Sequence, residues 1–456
     1  MIIRARILLP ISQPPIEDGA VLISGNCVTA IGRWPDLRKS DGDVFDLGES
    51  VVLPGLINAH CHLDYTDMAG MIPTQKTFSD WIKSMLALKA HWSYSEYSKS
   101  WLHGAEMLLR TGTTTVVDIE AVPELLPDVW SSTPLRIHSL LELTNVKSRR
   151  PPAEILAEAA QKIESLSSDR CFAGLSPHAL YSTSPELMQR SAKMARLKNW
   201  LLCTHVAESQ DEQEMFEHKR GPLFNWLKNQ RDLSDCGISP VQQLEQLGVL
   251  SENFLAVHAN YVSGGDAILL GQRNCSVVHC PRSHDYFEHR KFPFRMLSEA
   301  GVNICLGTDS LASVRSARVP RASSGVAPEL SLHKLSQPGG EPIKSVEQSF
   351  RRDAENGTRD ACAPLDLNLF SEMQSFAKAN PDVSAEKILQ MATINSARAL
   401  GMQTQIGELT PNAFADLISL PFSGKTSEAH EAALQYKGDV SASIIDGVWV
   451  AKPECL

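Results

Sequence analysis

The stretch 56-LINAHCHLDYTD-67 sets His60 and His62 on either side of Cys61, straight after an apolar run interrupted by Pro54-Gly55. If that run is a strand, side chains two apart share a face, so the two imidazoles converge on one point while Cys61 faces away. The pair has the spacing of a metal chelate. HxH alone is a weak motif, because a lone buried histidine is more often a hydrogen-bonded core residue than a ligand. Further along, His178, His205, His258, His279 and Asp309 each close or follow a short apolar run, in SPHALYS, LLCTHVAE, FLAVHAN, CSVVHCPRS and NICLGTDS. Burying so many ionisable groups at strand ends is unfavourable unless they share a purpose. Three histidines and one carboxylate suit Zn²⁺, with Fe²⁺ as the rival, since imidazole serves both. Such an ion lowers the pKa of a bound water to about 7. A lysine closing the fourth strand could be carbamylated to bridge two metals, but CFAGLSPHA has none, so one divalent ion is expected.

Those residues need strands to hold them. Eight apolar runs qualify, at 51–60, 113–119, 135–143, 171–179, 200–206, 253–259, 275–281 and 302–310. Helical patterns such as EYSKSWLHGAEMLLRTG and PAEILAEAAQKIESL lie between them, and the alternation predicts an α/β chain of parallel strands with crossover helices. Eight βα units fit a closed (β/α)8 barrel, whose strand C-termini open on one catalytic face; a doubly wound open sheet stays possible, because counting strands does not show closure. Both ends of the chain read as short strands with turn residues, predicting one small β domain from 1–55 and 405–456 around a barrel over 56–404. Residues 312–360 turn rich in Ser, Gly, Pro and charge and read as an inserted loop or lid. After it, DVSAEKILQMATINSARALGM reads as a helix pair with Ser384 as N-cap.

Composition narrows the partners. The balance of 43 basic and 53 acidic residues gives a net charge of −10 with no Lys/Arg-rich block, which argues against a nucleic-acid polymer. The start MIIRARILLPISQPP has too short an apolar run for a signal peptide, and no stretch reaches membrane-spanning length. A soluble cytoplasmic protein without a membrane partner is expected, with a homodimer left open. The ten cysteines are scattered and lack a CxxC pair, as reduced core thiols would be.

HCH at 60–62, HVAE at 205–208, AVHAN around His258, HCPRS at 279–283 and GTDS at 307–310 together resemble the amidohydrolase superfamily, in its aminohydrolase branch of S-adenosylhomocysteine, guanine and aminofutalosine deaminases and triazine hydrolases. NSARALG followed by GELTPNAFADL extends the similarity over nearly the whole chain. The resemblance implies a distorted (β/α)8 TIM barrel with a small β-sandwich, and one metal held by His60, His62, His205 and Asp309. It implies Glu208 as proton shuttle between the attacking water and a ring nitrogen, His258 as a group that orients or polarises that water, and Asp309 as an additional proton acceptor. By the same resemblance His178, Trp81 and Ser283, with Arg282, are substrate-contact candidates; His279 is either structural or part of the pocket. Taken without its neighbours, Glu208 would read as a solvated charge opening the acidic helix ESQDEQEMFEH.

Two departures qualify the resemblance. Adenosylhomocysteine deaminases carry a carboxylate shortly after the matching tryptophan, whereas Lys83, Ser84 and Met85 follow Trp81 here; the long insertion after Ser313 is the second. The function expected is hydrolytic deamination of a small amino-substituted nitrogen heterocycle, a purine nucleoside derivative such as aminofutalosine. The alternatives are a triazine-type chlorohydrolase or aminohydrolase and a metal-binding barrel without catalysis. Glu208 favours amine loss, because departing ammonia needs a proton and chloride does not.

Overall fold

The computed structural model describes residues 1–314 and 365–453. Residues 315–364, most of the expected loop or lid, lie outside the described residues. The chain opens with β1 (Ile2–Leu8), β2 (Ile16–Ser24), β3 (Cys27–Arg33), β4 (Val44–Asp46) and β5 (Ser50–Pro54). Eight parallel strands follow: β6 (Leu56–Cys61), β7 (Thr113–Glu120), β8 (Arg136–Leu143), β9 (Cys171–Pro177), β10 (Leu202–Val206), β11 (Phe254–His258), β12 (Ser276–His279) and β13 (Asn303–Leu306), paired in chain order with helices between them. The last strands are β14 (Leu417–Pro421), β15 (Ala442–Ile445) and β16 (Val448–Ala451).

The run expected as one strand over 51–60 divides at Gly55: β5 pairs with β14 and β1 in the terminal sheet, while β6 enters the barrel. A Cβ on Gly55 would lie 2.1 Å from the Thr114 hydroxyl, so only glycine lets the chain pass that close to β7. Closure, which strand counting left open, comes at the strand ends. Cys61 bridges Asp309, and the amides of Thr308 and Asp309 donate to the His60 carbonyl at 3.0 and 3.1 Å. Gly307 permits it, since a Cβ there would meet the His60 backbone at 2.8 Å. Asn58 pins the same seam, donating to Thr308 Oγ1 at 2.8 Å and accepting from the Thr308 amide at 3.1 Å. The barrel interior is filled by Val117, Ile119, Leu140, Leu255, Val257 and Val278, with the free buried thiols of Cys203, Cys280 and Cys305 among them.

Strands from both termini join in one continuous sheet, ordered β16-β15-β14-β5-β1-β2-β3 with β4 on β1, where the resemblance implied a sandwich. One buried cation ties it to the barrel. Arg136, at the start of β8, donates to Asp416 at 3.1 Å and Asp446 at 2.6 Å, and its guanidinium lies 4.0 Å from the centre of the Phe414 ring. The helix pair after the insertion forms at Ala385–Met391 and Ile394–Ala399, with Ser384 capping the first through the Lys387 amide. Among the described residues no helix is long and apolar enough to cross a membrane.

Removing Arg136 strands the buried Asp416 carboxylate and takes a partner from the partly buried Asp446. Arg136→Met is expected to lower stability by about 3–5 kcal/mol, read as an earlier midpoint in denaturant unfolding. A midpoint shift equivalent to less than about 1 kcal/mol would show the pair to be of no more consequence than an exposed one.

Candidate metal and catalytic centre

His60, His62, His205, His258, Glu208 and Asp309 meet at the C-terminal mouth of the barrel, each at most 6 % exposed. Asp309 Oδ1 lies 3.6 Å from Nε2 of both His60 and His62. His60, His205 and His258 offer nitrogen atoms within 4.8 Å of one another. The expected ligands are thus brought together, and their chemistry fits a cation. Both ring nitrogens of His60, Nδ1 of His62 and Nε2 of His258 are buried with no hydrogen-bond partner among the described residues. His205 Nδ1 faces the His178 carbonyl at 2.9 Å, which places the ring proton on Nδ1 and leaves the Nε2 lone pair for an ion.

Burial governs the protonation states. It lowers His62 well below the usual histidine range, with His60 beside it adding to the effect, and brings His205 down to about 3. His258 falls in the same way despite Asp309. Neutral imidazoles with orphaned nitrogens are the form in which a divalent cation is bound. Burial also opposes charge on Asp309, but His60, 3.6 Å away, and the facing His258 and His62 hold its carboxyl well below the usual range. Glu208 moves the other way, pushed well above that range by burial and then by the charge of Asp309. Its Oε1 lies 3.5 Å from His258 Nε2.

Local backbone sets these directions. Ser209 caps the helix Gln210–His218 through the Glu212 amide, so Glu208 sits just outside the first turn instead of on its solvated face. Ala207, His258, Ala259 and Asp309 all adopt left-handed φ, at 47°, 73°, 48° and 55°. Strain of this kind in residues other than glycine clusters at functional sites.

Above the ligands opens a cavity of about 240 Å³. Trp81 lines it, stacked on Phe78 and edge-on to Phe287, and so does His178, whose Nδ1 is 2.7 Å from the Ser182 hydroxyl. The remaining expected residues lie elsewhere. Ser283 lies behind Asp309 and donates to its Oδ2 at 2.7 Å, so it orients the carboxylate and does not line the cavity. Arg282 is engaged with Asp366 and Glu372, and His279 is buried against Phe292, away from the cavity. Among the cavity residues missed by the sequence reading are Glu142, Lys89 and Tyr65. Glu142 belongs to the polar residues at strand ends, in LRIHSLLEL, and that pattern applied to the third strand would have found it. Nothing in the sequence signals that Lys89 reaches it, 3.4 Å away, or that Lys89 also bonds the Tyr65 hydroxyl. Burial opposes charge on Glu142, but Lys89 and the imidazoles of His178 and His205 outweigh it and hold the carboxyl down to about 2.

Three outcomes are expected. Elemental analysis is expected to find roughly one divalent ion per wild-type chain and almost none in His60→Ala protein. Ser283→Ala should weaken metal retention against a chelator by about 10–100-fold, whereas a substrate contact would instead raise KM alone. A glutamate with a depressed pKa stabilises the fold above its ordinary value near 4.3, and loses that contribution as pH falls through the folded value. Glu142→Gln should therefore cost up to about 3 kcal/mol near pH 6, the deficit closing toward pH 2 in unfolding curves run beside wild type.

The amidohydrolase family model matches residues 51–450. A 5-methylthioadenosine/S-adenosylhomocysteine deaminase of Pyrococcus furiosus is 26% identical over 429 residues, covering 91% of this chain and 85% of that protein. The crystal structure of Helicobacter pylori aminofutalosine deaminase in complex with methylthio-coformycin matches with a TM-score of 0.79 at 20% identity, covering 98% of this chain and 99% of that one. Atrazine chlorohydrolase from Arthrobacter aurescens TC1 complexed with zinc matches at 0.77 and 19% identity, covering 99% and 95%. At those identities the two structures support the fold alone. With the family model spanning most of the chain, its eight parallel strands and its histidine-aspartate centre are those of a member: this protein belongs to the amidohydrolase family.

Proposed function

We propose that the protein is a metal-dependent hydrolytic deaminase of an amino-substituted nitrogen heterocycle, a purine nucleoside derivative such as aminofutalosine. The observation that carries this reading is the placement of Glu208, a buried carboxyl kept protonatable within 3.5 Å of His258 and beside the ligand ring, at the floor of an aromatic cavity. The relatives named as deaminases support it. His60, His62, His205 and Asp309 would hold a single divalent ion, zinc by its ligand types with iron as the alternative. When bound, that ion lowers the pKa of a water and supplies the nucleophile at neutral pH.

The side chains do the rest. Asp309, ionised by its surroundings, and His258 accept hydrogen bonds from the attacking water and fix its approach. Glu208 takes one proton from that water and passes it to the ring nitrogen next to the amino-bearing carbon, which makes the carbon electrophilic. The water oxygen bonds to that carbon, and Glu208 carries the second proton to the amine. The carbon–nitrogen bond breaks, ammonia leaves and the ring retains a carbonyl. Trp81 and Phe78 offer flat apolar surface to the ring, and His178 with Glu142 offers polar contacts to its substituents.

The test is ammonia release by metal-analysed protein over adenosine, 5′-methylthioadenosine, aminofutalosine, guanine and amino- or chloro-triazines. Release from an aminopurine nucleoside is expected, with Glu208→Gln losing about 10²–10⁴-fold in kcat at unchanged metal content. Chloride release from a triazine with no ammonia from any purine, or a Glu208→Gln variant of undiminished rate, would overturn the assignment.

A further inference from the structure

The HCPRS motif and its continuation are not absorbed by the chemistry above: Ser283 faces Asp309, but His284 points elsewhere. The ring nitrogen Nδ1 of His284 lies 3.0 Å from Asn260 Oδ1, and Asn260 Nδ2 lies 3.0 Å from the carbonyl oxygen of Glu208. A carbonyl only accepts, so the Asn260 amide must present its NH₂ to Glu208 and its oxygen to His284, and His284 must carry its proton on Nδ1. On the other side of the same residue the Glu208 amide donates to Glu212 Oε2 at 2.9 Å. The backbone of Glu208 is therefore gripped at both ends by side chains, each of them nearly or fully buried for Asn260 and Glu212.

This grip is more than helix capping provides. Glu212 is completely buried and makes no ion pair among the described residues. A desolvated carboxyl without a cation is unfavourable, and this one is turned on the backbone of Glu208 and of the left-handed Ala207. Asn260 in turn follows the left-handed pair His258 and Ala259, so the segment that carries His258 is braced against the segment that carries Glu208. The amide of Tyr261 donates to the Ala207 carbonyl at 2.9 Å, and its ring meets His289 and Arg290 from the same downstream loop as His284.

We propose that Glu212, Asn260 and His284 are positioning residues for Glu208, Glu212 fixing its N–H, Asn260 its C=O and His284 the amide of Asn260. The proposal rests on the reading of Glu208 as the proton carrier. Through these bonds the carboxyl is held at a constant distance from His258 while it delivers two protons to different atoms. A displacement of 1 Å in such a group costs on the order of 10²-fold in rate.

The test is a mutant cycle on the metal-loaded enzyme with adenosine and 5′-methylthioadenosine as probes. Asn260→Asp keeps the shape and replaces the donor with an acceptor. It is expected to lower kcat about 10–100-fold with KM within about 3-fold and metal content unchanged. His284→Ala should do the same, and His284→Asn, which retains a donor near the position of Nδ1, should restore most of the rate. In a Glu208→Gln background Asn260→Asp should cost less than about 2-fold more, because residues acting as a unit are not additive. An independent arm needs no turnover: the Glu208 amide should exchange with deuterium at least about 10-fold faster in Glu212→Leu than in wild type, at an unchanged melting temperature. Asn260→Asp and His284→Ala rates within about 3-fold of wild type, or losses that multiply fully on Glu208→Gln, would overturn the positioning role. So would an unaltered exchange rate. A fully active Glu208→Gln would instead overturn the functional reading, leaving the exchange arm to decide the clamp.

Discussion

The seam between β6 and β13 governs everything built above it. Because the His60 carbonyl accepts from the amides of Thr308 and Asp309, the first and last strands of the barrel end side by side. His60 and His62 then face the Asp309 carboxylate across that seam at equal distances of 3.6 Å. Asn58 and Gly307 serve this contact, one by cross-linking it and the other by leaving room for it. An open sheet of the same eight strands would part His60 and His62 from Asp309 and undo the cluster.

Desolvation is the second constraint, and it acts with opposite sign on neighbouring groups. It keeps His62, His205 and His258 neutral, which is what a metal requires, and raises Glu208. Asp309, equally buried, is kept ionised by the imidazoles around it. Two carboxyl groups driven apart in this way are suited to different proton-transfer roles. Glu142 shows the same logic further up the cavity, where Lys89 reverses the effect of burial. Charge is also what secures the outer architecture: Arg136 fastens the terminal sheet to the barrel through Asp416 and Asp446, a long-range pairing between residues 280 and 310 positions apart.

Much of the barrel was legible because its strands are short apolar runs with a polar residue at the end, a local pattern that survives without knowledge of the fold. Each barrel strand falls on one of those runs, the first on only the second half of its run, and the clustered histidines come with them. What escaped were features set by contact with distant segments. The run at 51–60 gives no sign that Gly55 divides it between two sheets, since the clash that forbids a side chain there is with Thr114. Ser283 was placed against substrate because its motif resembles a pocket turn; which way it faces depends on where Asp309 comes to rest. Asn260 and Glu212 carry no motif, and their importance follows only from the Glu208 backbone lying between them.

By itself the sequence determined the residue types and their place along each strand: imidazoles two apart at 60 and 62, a histidine and a carboxyl three apart in HVAE, and an aspartate after the eighth run. These are consequences of strand and turn periodicity, which act over a few residues. Only the tertiary structure decided that the barrel closes, that Glu208 is buried instead of solvated, and that Glu142 and Lys89 meet inside the cavity. Each of these depends on loss of water from groups far apart in the chain, and desolvation is a property of the packed assembly that no local stretch possesses.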